Sequence, residues 1–166
     1  MCLDAGYDRA QTLTAVNGMM LLAGQGERFT TVDLFLLDLW TGKASLDKLG
    51  AAGSYLMQAE GLSLLGGDAL PLGILENVES GEKLMQLHQG DTLILLSDGV
   101  EDAYENRQSM EETIRDALTL ETAQDAANAI LTGAQSGDTA PADDQTVLVL
   151  RLIRARVDAK IEEMYQ

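Results

Sequence analysis

The chain contains two apolar stretches that each carry an acidic turn at one end: TLILLSDG at residues 92–99 and DDQTVLVL at residues 143–150. The Ser-Asp-Gly turn follows the first apolar run, and the Asp-Asp-Gln-Thr turn precedes the second. Both runs are continuously apolar, which is typical of strands covered on both faces. If the two strands are antiparallel neighbours, the end of one lies beside the start of the other. Asp98 would then meet Asp143 and Asp144 at one edge of a sheet.

Several carboxylates held together at one edge repel each other unless a cation lies between them. No Lys or Arg occurs at residues 100–106 or 132–150, so no side chain nearby in the sequence supplies that charge. With one His and one Cys, the chain cannot build a metal site from those ligands, and oxygen ligands favour Mg²⁺ or Mn²⁺. Two such ions activate water and clamp a phosphate, so the pattern indicates hydrolysis of a phosphate monoester.

Each motif also has a purely structural interpretation. Ser, Asp and Gly are favoured in any turn that ends a strand, and Asp is common in the solvated turn before one. His88, the single imidazole, has no partner at the spacing of a catalytic motif, and we interpret it as a surface residue beside a turn. Cys2 has no neighbouring His, which indicates an inert thiol.

Composition limits the classes of partner. The 166 residues carry 11 basic and 27 acidic side chains, a net charge of −16, which opposes binding to nucleic acid or to anionic lipid. No stretch approaches the roughly 20 apolar residues of a membrane-spanning helix, and no signal sequence is recognisable. We expect one domain located in the cytoplasm, with no membrane contact by this segment.

Hydrophobic periodicity predicts the order helix, several strands, two helices, strand, helix. The first helix covers residues 7–22 and ends at Gly24 and Gly26. A central strand at 30–40 leads into an antiparallel meander with 43–49 and 54–59. Further strands are predicted at 83–88, 92–96 and 146–153, with two helices between 102 and 135. Residues 154–166 carry Val157, Ile161 and Met164 at helical spacing, which predicts an amphipathic helix that covers either the sheet or a partner.

Several segments, read in order, resemble a known family. They are Asp4-Ala5-Gly6-Tyr7-Asp8, Phe29-Thr30-Thr31-Val32-Asp33-Leu34, Asp38-Leu39-Trp40-Thr41-Gly42, Leu70-Pro71-Leu72-Gly73-Ile74, Ser97-Asp98-Gly99-Val100 and Asp143-Asp144-Gln145-Thr146. Their order and spacing resemble the C-terminal two-thirds of the phosphatase domain of the stage II sporulation protein E family. That family is a branch of the protein phosphatase 2C-like (PPM-type), metal-dependent serine/threonine phosphatases.

The resemblance implies a fold, a metal site and a substrate class. The implied fold is α+β, a four-layer α-β-β-α sandwich of antiparallel sheets. The family holds two Mn²⁺ or Mg²⁺ ions, and its motifs map two metal ligands onto Asp98 and Asp143. Asp144 falls where the family often has Asn, and is expected either to bind metal or to orient a ligand. Sporulation members dephosphorylate an anti-sigma-factor antagonist, which implies a role in sigma-factor regulation and a phosphorylated regulatory protein as partner.

The chain departs from the family pattern at its front. A further metal aspartate of the family lies in an Asp-Gly-Met-Gly segment upstream of the first helix, and residues 1–166 do not contain it. Asp4 and Asp8 sit in the wrong motif to replace it. Either this is a fragment of a longer protein, which we favour and which would be inactive or weakly active alone, or it is a truncated relative without catalysis.

Two further expectations follow from the missing segment. Unpaired sheet edges and uncovered apolar surface predict a homo-oligomer. The alternative function is a non-catalytic module for dimerisation or partner binding, derived from the phosphatase fold. As in some family members, an upstream region is expected to be able to anchor the parent protein to a membrane.

Overall fold

Two antiparallel sheets lie at the centre of the molecule. The structure is a computed structural model that describes Leu3 and residues 5–24, 28–78, 81–136 and 143–153. In chain order the elements are α1 (Arg9–Gly24), β1 (Val32–Leu37), β2 (Lys43–Leu49), β3 (Ser54–Gln58), β4 (Gly61–Leu65), β5 (Lys83–Gln86), β6 (Thr92–Leu96), α2 (Asp98–Glu101), α3 (Arg107–Ala117), α4 (Ala123–Ala134) and β7 (Val147–Arg151). The first sheet has the order β1-β2-β5 and the second has the order β4-β3-β6-β7.

Three apolar clusters show how the layers stack. On the outer face of the first sheet, Leu13 of α1 packs with Leu49 of β2. Helices α3 and α4 cover the second sheet through a cluster that includes Ile94, a residue with no exposed surface. A third cluster contains Ala44 from the first sheet and Leu56 from the second, and so fills the space between them. The expected four-layer α-β-β-α sandwich is therefore confirmed.

Strand β2 places charged side chains in both interfaces. Asp47 is fully buried on the α1 side, where it forms an ion pair with Arg9. The next residue, Lys48, points the other way, because successive side chains of a strand face opposite sides. The Lys48 Nζ atom lies 2.7 Å from Asp33 Oδ1 of β1 and donates to Ser54 Oγ of β3 over 2.8 Å. The Lys48–Ser54 hydrogen bond thus links the two sheets directly, whereas the Lys48–Asp33 ion pair lies within the first sheet.

The helices over the second sheet begin at conventional caps. Asn106 Oδ1 accepts a hydrogen bond from the Ser109 amide at 2.9 Å at the start of α3. Thr122 Oγ1 accepts from the Asp125 amide at 3.0 Å at the start of α4. Such caps satisfy amides that have no partner within the helix.

Several element predictions were wrong in detail. Among the described strands β1 is at the end of its sheet rather than central, because its two apolar faces meet α1 and the second sheet and require no strand on each side. Strand β3 does not continue a meander with β2 but pairs with β4 and β6 in the other sheet. Strand β4 was not predicted. Helix α1 begins two residues later than predicted, at Arg9, and its last residue is Gly24, so the predicted end of this helix is confirmed.

The change of sheet takes place at residues 50–53. Gly50 has a φ of +64°, and a side chain there would collide with Pro71. Glycine adopts this conformation without strain, so the chain can leave β2 and enter the second sheet within four residues. Several predictions, for Cys2, Asp4, Gly26 and the helix at 154–166, lie outside the described residues. No helix in the described part of the chain has the length and apolar character needed to cross a membrane.

Candidate metal centre

The two acidic turns meet at one end of the second sheet. Strands β6 and β7 pair antiparallel, and their last register position joins Leu96 to Val147. The turn after β6 and the turn before β7 are consequently adjacent. The predicted juxtaposition of Asp98 with the Asp143-Asp144 turn is confirmed at the level of the backbone.

Ser97 ties the two turns together. Its amide donates to the Thr146 carbonyl over 3.0 Å, which extends the ladder by one position. Its Oγ atom accepts from the Thr146 amide at 2.9 Å and donates to the Asp144 carbonyl at 3.1 Å. The serine of the Ser-Asp-Gly turn therefore has a structural role, because its hydrogen bonds fix the spacing of the two loops.

Gly99 is required because the turns approach so closely. A Cβ atom at this position would lie 2.5 Å from the Asp144 carbonyl oxygen and 3.2 Å from that of Asp143. On the same side, Gln145 Nε2 donates to the Gly99 carbonyl over 3.1 Å. A larger residue at 99 would push apart the two loops that carry the aspartates.

The three predicted aspartates are all exposed at this edge. Asp98 Oδ1 accepts from the Gly99 amide at 3.0 Å, and Asp143 Oδ1 accepts from the Asp144 amide at 2.7 Å. Within the described ranges none of the three forms an ion pair with Lys, Arg or His. Among the described residues, therefore, no cationic side chain compensates the charge of these carboxylates.

Sequence reasoning missed the group that anchors this turn. Glu101 is the last residue of α2, and its Oε2 atom accepts from the Gly53 amide at 3.1 Å. This bond holds the short helix after Asp98 against the start of β3. No local sequence motif predicts the Glu101–Gly53 hydrogen bond, because the two residues are 48 positions apart. Asp33 was detectable in principle, since it interrupts the apolar strand β1 with a charge, whereas Lys48 lies in a strand that carries three charged residues.

The oxygen ligands at this edge are of the type that binds a hard divalent cation, but there are too few of them for a complete site. Carboxylate and amide oxygens are the ligands that Mg²⁺ and Mn²⁺ prefer. Gln145 Oε1 is buried here and has no hydrogen-bond partner among the described residues, so it is one more oxygen ligand beside the aspartates. However, in the part of the chain that is described, no group of three or more His, Cys, Asp or Glu side chains is arranged to hold a metal ion. A complete site would need a further ligand.

His88 lies at the other end of β6, away from the aspartates. Its side chain is 71% exposed, and Nδ1 is 3.6 Å from Asp91 Oδ2. The prediction of a surface residue beside a turn is confirmed.

Comparison with known proteins identifies the family. The sequence profile described as Stage II sporulation protein E (SpoIIE) matches residues 1–153. The chain belongs to the SpoIIE family. The Stage II sporulation protein E of Priestia megaterium is 29% identical over 98 residues, which are 59% of this chain and 17% of that protein. The Bacillus subtilis protein is 28% identical over 98 residues, again 59% of this chain and 12% of its own length.

Solved structures show the same fold. The PP2C phosphatase domain of Bacillus subtilis SpoIIE, solved with a fragment of its regulatory domain, matches with a TM-score of 0.78 and 25% identity. The match covers 90% of this chain and 46% of that one. The catalytic domain of the serine/threonine phosphatase PstP, solved in complex with two manganese ions, matches with a TM-score of 0.70 and 19% identity, covering 87% of this chain and 68% of that one. This SpoIIE-family chain therefore has a PP2C-type phosphatase fold. It matches less than a fifth of the length of the two curated relatives and about half of the length of the first solved structure.

Proposed function

We propose that this chain is part of a metal-dependent protein serine/threonine phosphatase that hydrolyses phosphoserine or phosphothreonine on a regulatory protein. The observation that carries the proposal is the antiparallel register of β6 and β7, which brings the turns of Asp98 and Asp143 to one edge. Membership of the SpoIIE family supports the same conclusion. When bound, Mn²⁺ or Mg²⁺ supplies activation of water and neutralisation of phosphate charge.

Each residue of the candidate metal centre has a defined part in this proposal. Asp98 and Asp143 bind the metal, with two ions in the complete family domain. Asp144 either joins them or orients Asp143 through the hydrogen bond from its amide to Asp143 Oδ1. Ser97 and Gly99 keep the two loops at a fixed spacing. The catalytic group is water, so no side chain of this chain acts as a nucleophile.

The substrate is proposed from the family and from the charge of the chain. A phosphorylated anti-sigma-factor antagonist is the type of partner that sporulation members use. A net charge of −16 disfavours nucleic acid as an alternative substrate. The proposal places the domain in the cytoplasm, where such a regulator is found, while an upstream region is able to anchor the parent protein.

The deciding experiment compares Mn²⁺-dependent hydrolysis of a phosphoserine peptide by this chain and by the chain extended upstream in its reading frame. We expect turnover in the extended form and little or none in residues 1–166 alone. Asp98→Asn should abolish turnover without unfolding the domain, as judged by circular dichroism. Asp102→Asn removes the same charge from an exposed position at the end of α2 and should leave turnover unchanged.

Two results would contradict the proposal. Full activity of the extended Asp98→Asn variant would remove Asp98 from the site. An extended chain that folds but has no activity would favour the alternative, a non-catalytic module. That alternative is supported by one observation, since no three-ligand cluster is present among the described residues.

We also propose that the chain self-associates. Strand β7 is at the end of the second sheet, where it pairs only with β6 among the described strands, and Leu148 on it is 50% exposed. An apolar strand edge of this kind favours pairing with another chain. Light scattering across a tenfold dilution series should give a mass above that of the monomer, and a monomer mass throughout would overturn this proposal.

A further inference from the structure

The short helix α2 carries the candidate metal ligand Asp98 as its first residue and is too short to keep its own orientation. It has four residues, Asp98–Glu101, whereas isolated helices below about 12–15 residues are marginal in water. The Asp102 amide donates to the Asp98 carbonyl over 2.8 Å and closes this single turn. The position of the Asp98 carboxylate is therefore set by the contacts that α2 makes with the rest of the molecule.

Helix α2 is held from both strands that flank β6, because β6 lies between β3 and β7 in the second sheet. On the β7 side, the Ser97 hydroxyl bonds to the loop before that strand, and Gly99 packs against the same loop. On the β3 side, the Gly53 amide donates to Glu101 Oε2 over 3.1 Å. Glu101 thus supplies an anchor on the side opposite the loop of Asp143.

Asp98 and Glu101 respond to the same movement of the turn. Residues three apart in a helix are neighbours on one face, and these two are the first and last residues of α2. A rotation of α2 that breaks the Glu101–Gly53 hydrogen bond therefore also moves the Asp98 carboxylate. The Glu101 contact consequently limits how far Asp98 can move relative to the loop of Asp143.

The donor of this hydrogen bond lies in a closely packed segment. A Cβ atom on Gly53 would lie 2.9 Å from Leu64 Cδ1, so the crossover at residues 50–53 fits tightly against β4. The next residue, Ser54, has no exposed surface, and its Oγ atom accepts from Lys48 Nζ over 2.8 Å. Because the crossover is fixed in this way, its amide can hold α2 in one orientation.

The Glu101 carboxylate is available for this contact. It forms no ion pair with a Lys, Arg or His side chain in the described ranges, so no such partner draws it away from Gly53. A hydrogen bond from an amide to a carboxylate is about twice as strong as one between neutral groups. One such bond is therefore a substantial constraint on a helix of a single turn.

We propose that Glu101 is a positioning residue, which holds the turn of Asp98 against the crossover and thereby sets the affinity of the candidate metal centre for Mn²⁺. This role rests on the proposed function, in which Asp98 binds metal. Groups that orient metal ligands change metal affinity or activity by about 10–100-fold when they are replaced. Glu101 acts through the backbone of α2 and not on the ligand itself, so we expect an effect of about tenfold.

Mn²⁺ binding by the chain extended upstream in its reading frame tests this role. Binding is measured from the loss of the electron paramagnetic resonance signal of free Mn²⁺, and Asp98→Asn gives the background from other carboxylates. Glu101→Ala should raise the dissociation constant about tenfold, while turnover at saturating Mn²⁺ stays close to that of the parent. Glu112→Ala, the same change at an exposed position of α3, should alter neither quantity. Circular dichroism and urea unfolding without metal control for loss of fold.

Two conservative variants separate the reach of the side chain from its charge. Glu101→Gln keeps an oxygen that accepts from the Gly53 amide, and it should bind Mn²⁺ with the parent affinity. Glu101→Asp keeps the charge but is one methylene shorter, and it should lose affinity as Glu101→Ala does. Hydrogen exchange of the Gly53 amide, measured by NMR without metal, should be faster in the two shortened variants and unchanged in Glu101→Gln.

The outcomes distinguish this role from the proposed function. Parent affinity in a folded Glu101→Ala chain would overturn the positioning role and leave the proposed function intact. Equal losses in Glu101→Gln and Glu101→Ala would assign the effect to charge and overturn the role as well, and so would a fall in turnover at saturating Mn²⁺ without a change in affinity. A parent chain without Asp98-dependent Mn²⁺ binding would contradict the proposed function and this role together.

Discussion

The Lys48 side chain joins two layers, since its ion pair with Asp33 lies within the first sheet and its hydrogen bond to Ser54 reaches the second. The Lys48 side chain has no exposed surface, and that of Asp33 is 14% exposed. Removing one member of a buried pair leaves the other charge without compensation, which costs about 3–5 kcal/mol. Replacing both by apolar residues of similar size is often neutral. The contribution of Lys48 to stability therefore depends on the presence of Asp33.

We expect Lys48→Met to lower the free energy of unfolding by about 3 kcal/mol or more, as measured by urea denaturation. The double variant Lys48→Met with Asp33→Leu should recover most of that loss, because the uncompensated carboxylate is then absent. If the double variant is as unstable as the single one, the effect comes from lost packing or from Ser54 and not from the pair.

Two tyrosines under α3 and α4 differ in whether their hydroxyl has a partner. Tyr55 is 1% exposed, and its hydroxyl has no hydrogen bond within the described residues. Tyr104 donates its hydroxyl to the Ile130 carbonyl over 2.8 Å. A buried polar group without a partner costs about 1–3 kcal/mol, and a satisfied one contributes about 1 kcal/mol. Tyr55→Phe should thus raise the urea midpoint and Tyr104→Phe should lower it, and a fall in both would contradict this account.

Tyr55 also predicts a dependence of stability on pH. Burial raises the pKa of Tyr55 above its ordinary value of 10.0, and the carboxylates of Glu111 and Glu101 raise it further. The folded state then keeps a proton that the unfolded state loses. The free energy of unfolding is therefore unaffected by the titration of Tyr55 below pH 10, and it decreases as the pH rises above that value. Tyr55→Phe should lose less stability between pH 9 and 11 than the parent chain, whereas equal slopes would show that Tyr55 does not titrate in this range.

At the scale of elements, the contact between α2 and the loop before β7 depends on Gly99. A methyl group at 99 would meet backbone atoms of the facing loop, which cannot move as freely as a side chain. We expect Gly99→Ala to lower the free energy of unfolding by about 1–3 kcal/mol. Gly18→Ala is the matched control, because Gly18 lies inside α1 and, apart from the adjacent backbone of its own helix, no described atom lies within 4 Å of the added methyl group. It should stabilise the chain by about 0.5–1 kcal/mol, since alanine favours helix more than glycine does. Equal effects of the two substitutions in urea denaturation would show that the close approach at 99 does not matter.

Element type was predictable from the sequence where one physical signal dominated. The continuous apolar runs identified β6 and β7 as strands, and the helical spacing at α3 and α4 identified two helices between them. Burial on both faces was predicted correctly for β6 but not for β7, where Leu148 is 50% exposed. Assignment of β3 to a sheet was not predictable, since an alternating pattern is the same whichever neighbour a strand pairs with. Strand β4 was missed because Gly61–Leu65 is short and half exposed and ends at two glycines.

The candidate site was predictable to the same extent. The two aspartate turns were placed together by strand order alone, and the structure confirms that they are adjacent. The Glu101–Gly53 bond and the Lys48–Ser54 bond were not predictable, because they depend on how the layers pack and not on any local pattern.

At the scale of the whole molecule, negative charge dominates the electrostatics. The net charge is −16, and only a few of the acidic residues have a basic partner among the described ion pairs. Self-repulsion therefore opposes the compact state. Salt weakens this repulsion, because the Debye length falls from about 30 Å at 0.01 M to about 8 Å at 0.15 M. We expect the free energy of unfolding in urea to rise between these ionic strengths, and a decrease would mean that ion pairs outweigh repulsion.

The hydrogen bond from Thr146 to Ser97 has a consequence for the order of folding. It spans 49 residues, and it closes only after β7 has joined β6. During synthesis the loop that bears Asp98 leaves the ribosome well before its counterpart, so the nascent chain holds half of the site until the last strand arrives. Contacts between such distant segments slow folding, because loop closure comes before any compensating interaction. Under the proposed function, metal binding at this edge is therefore expected only after β7 has been synthesised and has paired with β6.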